Sequence, residues 1–256
     1  MRPKVNLVGV EIDNVDRAEA LERISALVRE RRPSLVVTPN VDHLIALQSD
    51  PEFREIYRNA ALVLTDGVPL LWAARFLGTP IREKLSGSDI FGDICRLAAE
   101  RSFRVFFMGG RQGAAIAASE VMRRAHPGLE VVGVYAPPFG FERDAAESAR
   151  IDSMLTEARP DILFLGLGAP KQEKWAARNS SRLGIPITVG IGITFEYTAG
   201  VVRRAPVWMQ RVGLEWLFRL LMEPGRLWRR YLLSDPKFFW LVLKQRVGRG
   251  NGRSNA

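Results

Sequence analysis

An acidic residue that closes an apolar run is a candidate proton acceptor. Leu62–Thr65 is apolar and β-prone, and Asp66-Gly67 follow it directly. A carboxylate at a strand's carboxyl end, before Gly and a helix, is placed to act as a general base, and equally to cap that helix. Leu35–Val37 leads in the same way into Thr38-Pro39-Asn40. Asn40 suits the N-cap of a helix carrying His43 and Leu47. Read alone, Thr38 and Asn40 are a turn and a cap, though they also offer a hydroxyl and an amide to a sugar. Val105–Met108 runs into Gly109-Gly110-Arg111-Gln112-Gly113 and an Ala-rich helix. Backbone N–H groups of such a turn can hold a phosphate at a helix N-terminus, which makes Gly109 and Gly110 candidate phosphate contacts. The turn is neither G-x-G-x-x-G nor a Walker A sequence, so it points to no particular nucleotide. A fourth cluster, Ala169-Pro170-Lys171-Gln172-Glu173-Lys174-Trp175, follows Asp161–Gly168. It sets polar side chains above the sheet edge, or is simply a helix with Pro in its first turn.

Some chemistry is excluded by what the sequence lacks. With two histidines, His43 and His126, and the single Cys95, there is no Cys/His cluster for a structural zinc and no internal disulfide. Cys95 falls in a helical pattern, as a small core residue. G-x-S-x-G is missing, and no Ser-His-Asp arrangement is suggested. No Asp-x-Asp pair is present to hold a divalent metal. A leaving diphosphate would therefore need Arg or Lys as its electrophile.

These clusters require elements that bring strand ends together. Strand candidates are Val5–Val10, Leu35–Thr38, Leu62–Thr65, Val105–Met108, Val131–Tyr135, Ile162–Gly166 and Ile187–Gly192, several of them continuous apolar runs that suit strands buried on both faces. Helical segments lie at Asp16–Arg31, Ser88–Arg101, Gln112–Ala125 and Arg143–Ala158, where Ile151, Leu155 and Ala158 keep a core-facing spacing. The alternation predicts an α/β, Rossmann-like fold: a largely parallel sheet covered by helices on both faces, with ligands beyond the carboxyl ends of its strands.

Charge is distributed unevenly. The net +9 arises wholly in residues 203–256, which hold 12 Lys and Arg against Glu215, Glu223 and Asp235, whereas residues 1–202 hold 25 of each sign. Four of the six tryptophans, Trp208, Trp216, Trp228 and Trp240, lie in this tail among arginines. The chain therefore divides into an α/β catalytic domain, residues 1–200, and a basic, Trp-rich helical appendage, residues 201–256. Arg and Trp among apolar residues suit helices lying on an anionic membrane surface, and Leu214–Leu221 suits equally an amphipathic helix packed on the body. No nucleic-acid partner is expected, because a stretch such as Phe238–Leu243 is too apolar for a solvated groove. No apolar stretch approaches the ~20 residues needed to span a bilayer. The run after Arg2 and Lys4 stops at Glu11, too early for a signal peptide. The expected location is cytoplasmic, peripheral on the inner face of the membrane.

In order along nearly the whole chain, these and further motifs resemble the WecG/TagA/CpsF glycosyltransferases, glycosyltransferase family 26. The matching stretches are Thr38-Pro39-Asn40, Thr65-Asp66-Gly67, Ser86-Gly87-Ser88-Asp89, Phe107-Met108-Gly109-Gly110, Pro170-Lys171-Gln172-Glu173, Arg204-Ala205-Pro206, Gly213-Leu214-Glu215-Trp216 and Glu223-Pro224. The resemblance implies an inverting transfer, with neither metal nor cofactor, from a UDP-sugar to an undecaprenyl-diphosphate-linked sugar. The group moved would be N-acetylmannosamine, its uronic acid or a glucose-type sugar, in cell-surface polysaccharide or teichoic acid synthesis. It also implies a fold of the type called GT-E, with a C-terminal appendage that completes the site on the membrane. Carried over motif by motif, Asp66 is the expected base, and Thr38, Asn40 and Gln172 are expected to touch sugar or nucleotide. Arg219, Arg226 and Arg229 are expected to approach diphosphate. Lys84 stands where the family usually has Arg, keeping the charge but losing the planar fork, with Arg82 nearby. After Ile191 the family tends to have a second Gly and an Asp, where this chain has Ile193-Thr194-Phe195-Glu196. A nucleotide-dependent oxidoreductase built on Gly109-Gly110, or a nucleic-acid binder using the tail, would leave the ordered motifs unexplained. Whether the chain forms a homo-oligomer is open.

Overall fold

The first apolar run folds as a hairpin, outside the main sheet. Lys4–Leu7 (β1) and Val10–Asp13 (β2) pair antiparallel about Val8-Gly9, whose φ angles of 53° and 82° make the tight reversal. The expected strand Val5–Val10 spans this turn. Its sequence gave no warning, because a β-branched residue such as Val8 rarely takes a left-handed backbone. A computed structural model of the chain describes residues 4–253, apart from the side chains of Arg226, Arg230, Leu233 and residues 249–253.

The chain continues as α1 (Arg17–Glu30), β3 (Ser34–Val37), α2 (Val41–Ser49), α3 (Pro51–Asn59), β4 (Leu62–Val63), α4 (Val68–Phe76), α5 (Gly87–Arg101), β5 (Val105–Gly109), α6 (Ala114–Ala125), β6 (Val131–Tyr135), α7 (Ala145–Ala158), β7 (Ile162–Gly166), α8 (Lys171–Asn179) and β8 (Ile187–Gly190). Then come α9 (Thr194–Thr198), α10 (Val207–Arg211), α11 (Glu215–Met222), α12 (Pro224–Arg229) and α13 (Pro236–Arg253). Helix ends follow local chemistry. Asp16 and Ser86 start α1 and α5 through reciprocal capping boxes, Asp144 caps α7, and the three helices stop at Arg31, Ser102 and Arg159 in left-handed backbone.

Six strands form one parallel sheet in the order β4-β3-β8-β7-β5-β6. Successive residues feed opposite faces. Val105, Phe107, Ile162 and Phe164 enter a core with α1, α5 and α6, while Phe106, Met108, Leu163 and Leu165 enter another with α7 and α8. Helices on both sides are therefore required, and the Rossmann-like α/β fold is present. On the first face Phe91 meets Phe164 edge-on at 4.9 Å, and Phe107 stacks on Phe195 at 5.2 Å. Cys95 is buried in that core, and burial pushes its thiol well above the ordinary range.

The tail folds back onto the body. Phe238 and Val242 of α13 are buried in a third core with the hairpin, α2, α3 and α4. The Gln245 amide accepts from Val8 N at 2.8 Å and donates to Asn6 O at 3.0 Å. Among the described residues no helix is long and apolar enough to cross a membrane.

Candidate active site

Four adjacent strands, β4, β3, β8 and β7, end at one edge of the sheet. Their following loops, together with α11, line a cleft of ≈ 560 Å³, a size suited to a small ligand. Thr38, Asn40, Asp66, Lys84, Gln172 and Arg219 all line it. The fold thus gathers six of the residues singled out in the sequence.

Asp66 is placed by backbone pairing beyond β4. Leu64 N donates to Val37 O, and Asp66 N to Pro39 O, both at 2.9 Å. Gly67, at φ 102°, then turns the chain and is itself the N-cap of α4, with no side-chain cap bond. Asp66 is therefore not a cap, and among the described residues its carboxylate makes no hydrogen bond. Burial raises its pKa above the ordinary carboxylate value. Lys84 opposes that rise, Glu215 and Asp89 add to it, and His43 opposes it. The result is a stronger base than an exposed aspartate, held over the cleft.

The neighbours of Asp66 are fixed from several directions. Lys84 makes an ion pair with Asp89, whereas Arg82 turns away to Asp16 and Glu19. Of the two, Lys84 lines the cleft and acts on Asp66, and Arg82 does not. Asn40 caps α2, accepting from His43 N at 3.3 Å, and its Oδ1 lies 2.7 Å from His43 Nδ1. The cap expected from sequence is real, and it also faces the cleft. Gln172 is buried, donating to Glu173 Oε1 at 2.8 Å and accepting from Gly192 N at 3.2 Å. Gly190 makes room for it: a Cβ there would lie 2.7 Å from Gln172 Nε2.

Arg219 enters from α11. Burial disfavours its charge, but Tyr197, Tyr231, Asp66 and Glu215 more than offset this. Among the described residues its guanidinium has no ion-pair partner. Among the described residues, a carboxylate without a hydrogen bond and an arginine without a direct ion pair share one cleft.

Residues 5–252 match the model of the glycosyl transferase WecG/TagA/CpsF family. The chain belongs to that family. Its relatives include an N-acetylglucosaminyldiphosphoundecaprenol N-acetyl-beta-D-mannosaminyltransferase of Bacillus spizizenii, 31% identical over 84% of this chain and 80% of that protein. Proteins of the same description from Bacillus subtilis and Staphylococcus aureus are 27% and 24% identical, over 83% and 94% of this chain and 80% and 92% of theirs.

Not every expected residue of the transferase reaches the cleft. Gly109 and Gly110 lie at the end of β5, one strand beyond the four that frame it. Gly110 N donates to Gly166 O at 2.8 Å, and Arg111 N donates to Glu196 Oε1 at 2.9 Å. The anion at this turn is therefore the protein's own carboxylate. The glycines answer to packing, since a Cβ on Gly109 would sit 2.6 Å from Gly166 O. This removes the basis for a dinucleotide site there. Arg229 is exposed and lies 5.4 Å over the Trp228 ring, away from the cleft. The side chain of Arg226 lies outside the described residues.

The structure also adds residues that sequence reasoning missed. Trp72, Tyr197, Arg204, Glu215 and Tyr231 line the cleft of the transferase. Arg204 and Glu215 stood within matching motifs, so their presence was visible but their contacts were not. For Trp72, the signal is Gly213: a Cβ there would lie 2.9 Å from the indole.

Proposed function

We propose that the transferase moves an N-acetylmannosaminyl group from a UDP-linked donor to N-acetylglucosaminyl diphosphoundecaprenol, with Asp66 as base and Arg219 meeting the departing diphosphate. The observation that carries this reading is the pairing of functions in one cleft: an uncapped carboxylate and a half-buried arginine, each without a partner of its own among the described residues. The names of the relatives support the choice of sugar and acceptor.

The acceptor hydroxyl oxygen attacks the anomeric carbon opposite UDP, and its proton passes to Asp66. As the new C–O bond forms, the bond to the diphosphate oxygen breaks and leaves its electron pair there, where Arg219 stabilises the charge. Configuration inverts in the one displacement. Thr38, Asn40 and Gln172 are the polar contacts for sugar and nucleotide. Neither metal nor cofactor is needed for these steps.

The tail supplies the approach to the lipid acceptor. Trp208, Leu221, Trp240 and Leu243 are more than half exposed, and residues 203–256 carry the whole net charge. Each basic residue near an anionic leaflet contributes about 1 kcal/mol. The protein then works as a peripheral enzyme on the inner face of the cytoplasmic membrane.

The test offers purified protein UDP-N-acetylmannosamine, UDP-N-acetylglucosamine or UDP-glucose with a short-chain N-acetylglucosaminyl diphosphoprenol, and product is read by mass spectrometry. Transfer from the first donor is expected, with binding to anionic but not neutral vesicles. Transfer from UDP-glucose alone would overturn the choice of sugar.

A further inference from the structure

Across the cleft from Gln172, a run of alternating charges joins the body to the tail. Asp89 belongs to the body. It sits in the first turn of α5, its N–H donating to Ser86 Oγ at 3.2 Å and its Oδ2 accepting from Ser86 N at 3.3 Å. Arg17 donates to its carbonyl at 3.1 Å. The carboxylate pairs with Lys84 on one oxygen and takes Arg204 Nη2 on the other at 2.6 Å. Arg204 in turn extends Nε to Glu215 Oε1 at 3.2 Å. Burial tends to raise the pKa of Asp89, but Lys84 and Arg204 outweigh it and bring the group to about 2. Asp89 is therefore ionised at neutral pH.

What this clasp holds is a short helix that lies only half-buried on the body. No residue of α11 is fully buried, and its Leu217, Phe218 and Leu220 are only partly covered. Among its charged ties are Glu215 to Arg204 at the first residue and, just past the end, Glu223 to Arg111 at 3.4 Å. Arg219 lies four residues after Glu215, hence on the same helical face. Resting on the reading of Asp66 and Arg219 above, we propose that Arg204 is a positioning residue: clasped between Asp89 and Glu215, it seats α11 so that Arg219 meets the diphosphate opposite Asp66. Arg204 itself lines the cleft, yet two edges of its guanidinium are already committed to carboxylates, which fits a strut better than a phosphate ligand.

Amide hydrogen exchange and turnover on the same full-length variants separate these roles. Arg204→Gln and Glu215→Gln break the clasp from either side, the second without touching the body. Both are expected to speed exchange of α11 amides by about tenfold or more while α5 is unchanged. Turnover with a soluble acceptor should fall on the order of 10- to 100-fold, because a displacement near 1 Å is enough for such losses. Arg204→Lys, which keeps one ion pair, should recover part of both. Arg219→Gln should lower turnover and leave α11 exchange as it is. Unchanged α11 exchange in Arg204→Gln would overturn the proposal, as would faster exchange with unaltered turnover. An active Asp66→Asn enzyme would instead defeat the underlying assignment of the base, leaving the exchange result to judge the clasp by itself.

Discussion

Replacing Asp66 by Asn separates two roles that a carboxylate at a strand end can have. If Asp66 capped α4, Asn would cap as well as Asp, but losing the charge at the helix N-terminus would still cost up to about 1 kcal/mol. In a chain of this size that lowers Tm by about 2–4 °C. The structure assigns the cap to Gly67, and among the described residues the Asp66 carboxylate makes no hydrogen bond, so that loss should not occur. Its raised pKa fixes the sign of the remaining effect. The ionised form is disfavoured in the folded state, a penalty absent below the unfolded pKa and complete above the folded one. At neutral pH, Asn removes this penalty, and Tm should stay level or rise. Turnover should fall by about two to four orders of magnitude, a barrier increase of about 2.7–5.4 kcal/mol. The assays are a thermal melt and initial-rate transfer on one preparation. A Tm lowered by 2–4 °C with turnover within about tenfold of the parent would refute the reasoning.

Three further outcomes are expected. Because Lys84 favours the ionised form of Asp66 and Glu215 disfavours it, the low-pH limb of kcat should move to higher pH in Lys84→Met and to lower pH in Glu215→Gln; a pH–rate profile of each reads the two directions. Gly109→Ala forces a methyl against Gly166 O at a φ of 110°, so Tm should drop by several degrees while the folded fraction binds UDP as tightly as the parent, measured by calorimetry. Excess EDTA should leave the transfer rate unchanged, and a loss restored by Mg²⁺ or Mn²⁺ would reveal a metal site.

Much of the scaffold was legible because buried parallel strands leave a plain signature. Val131–Tyr135 and Ile162–Gly166 are strands with the expected bounds. Asp66 was legible too, since an acid directly after an apolar run is rare without a task or a cap. Gly109-Gly110 misled for a physical reason: a phosphate cradle and a close backbone crossing both demand glycine, and only the neighbouring strand distinguishes them. The Asp89–Arg204 contact joins residues 115 apart, a distance at which no local pattern speaks. Val8 hid the hairpin because the turn residue there is chosen by its buried surroundings.

Gln245 and Val8 are 237 residues apart and bonded to each other. During synthesis the hairpin and α2 emerge early, α3 and α4 then pack on them, and Phe238 and Val242 complete that core last. The part of that core filled by α13 must wait for nearly the whole chain, and contacts of such sequence separation slow folding. A ribosome that stalls before α13 would leave part of that core open to solvent. The last helix thus closes a core begun by the first strands.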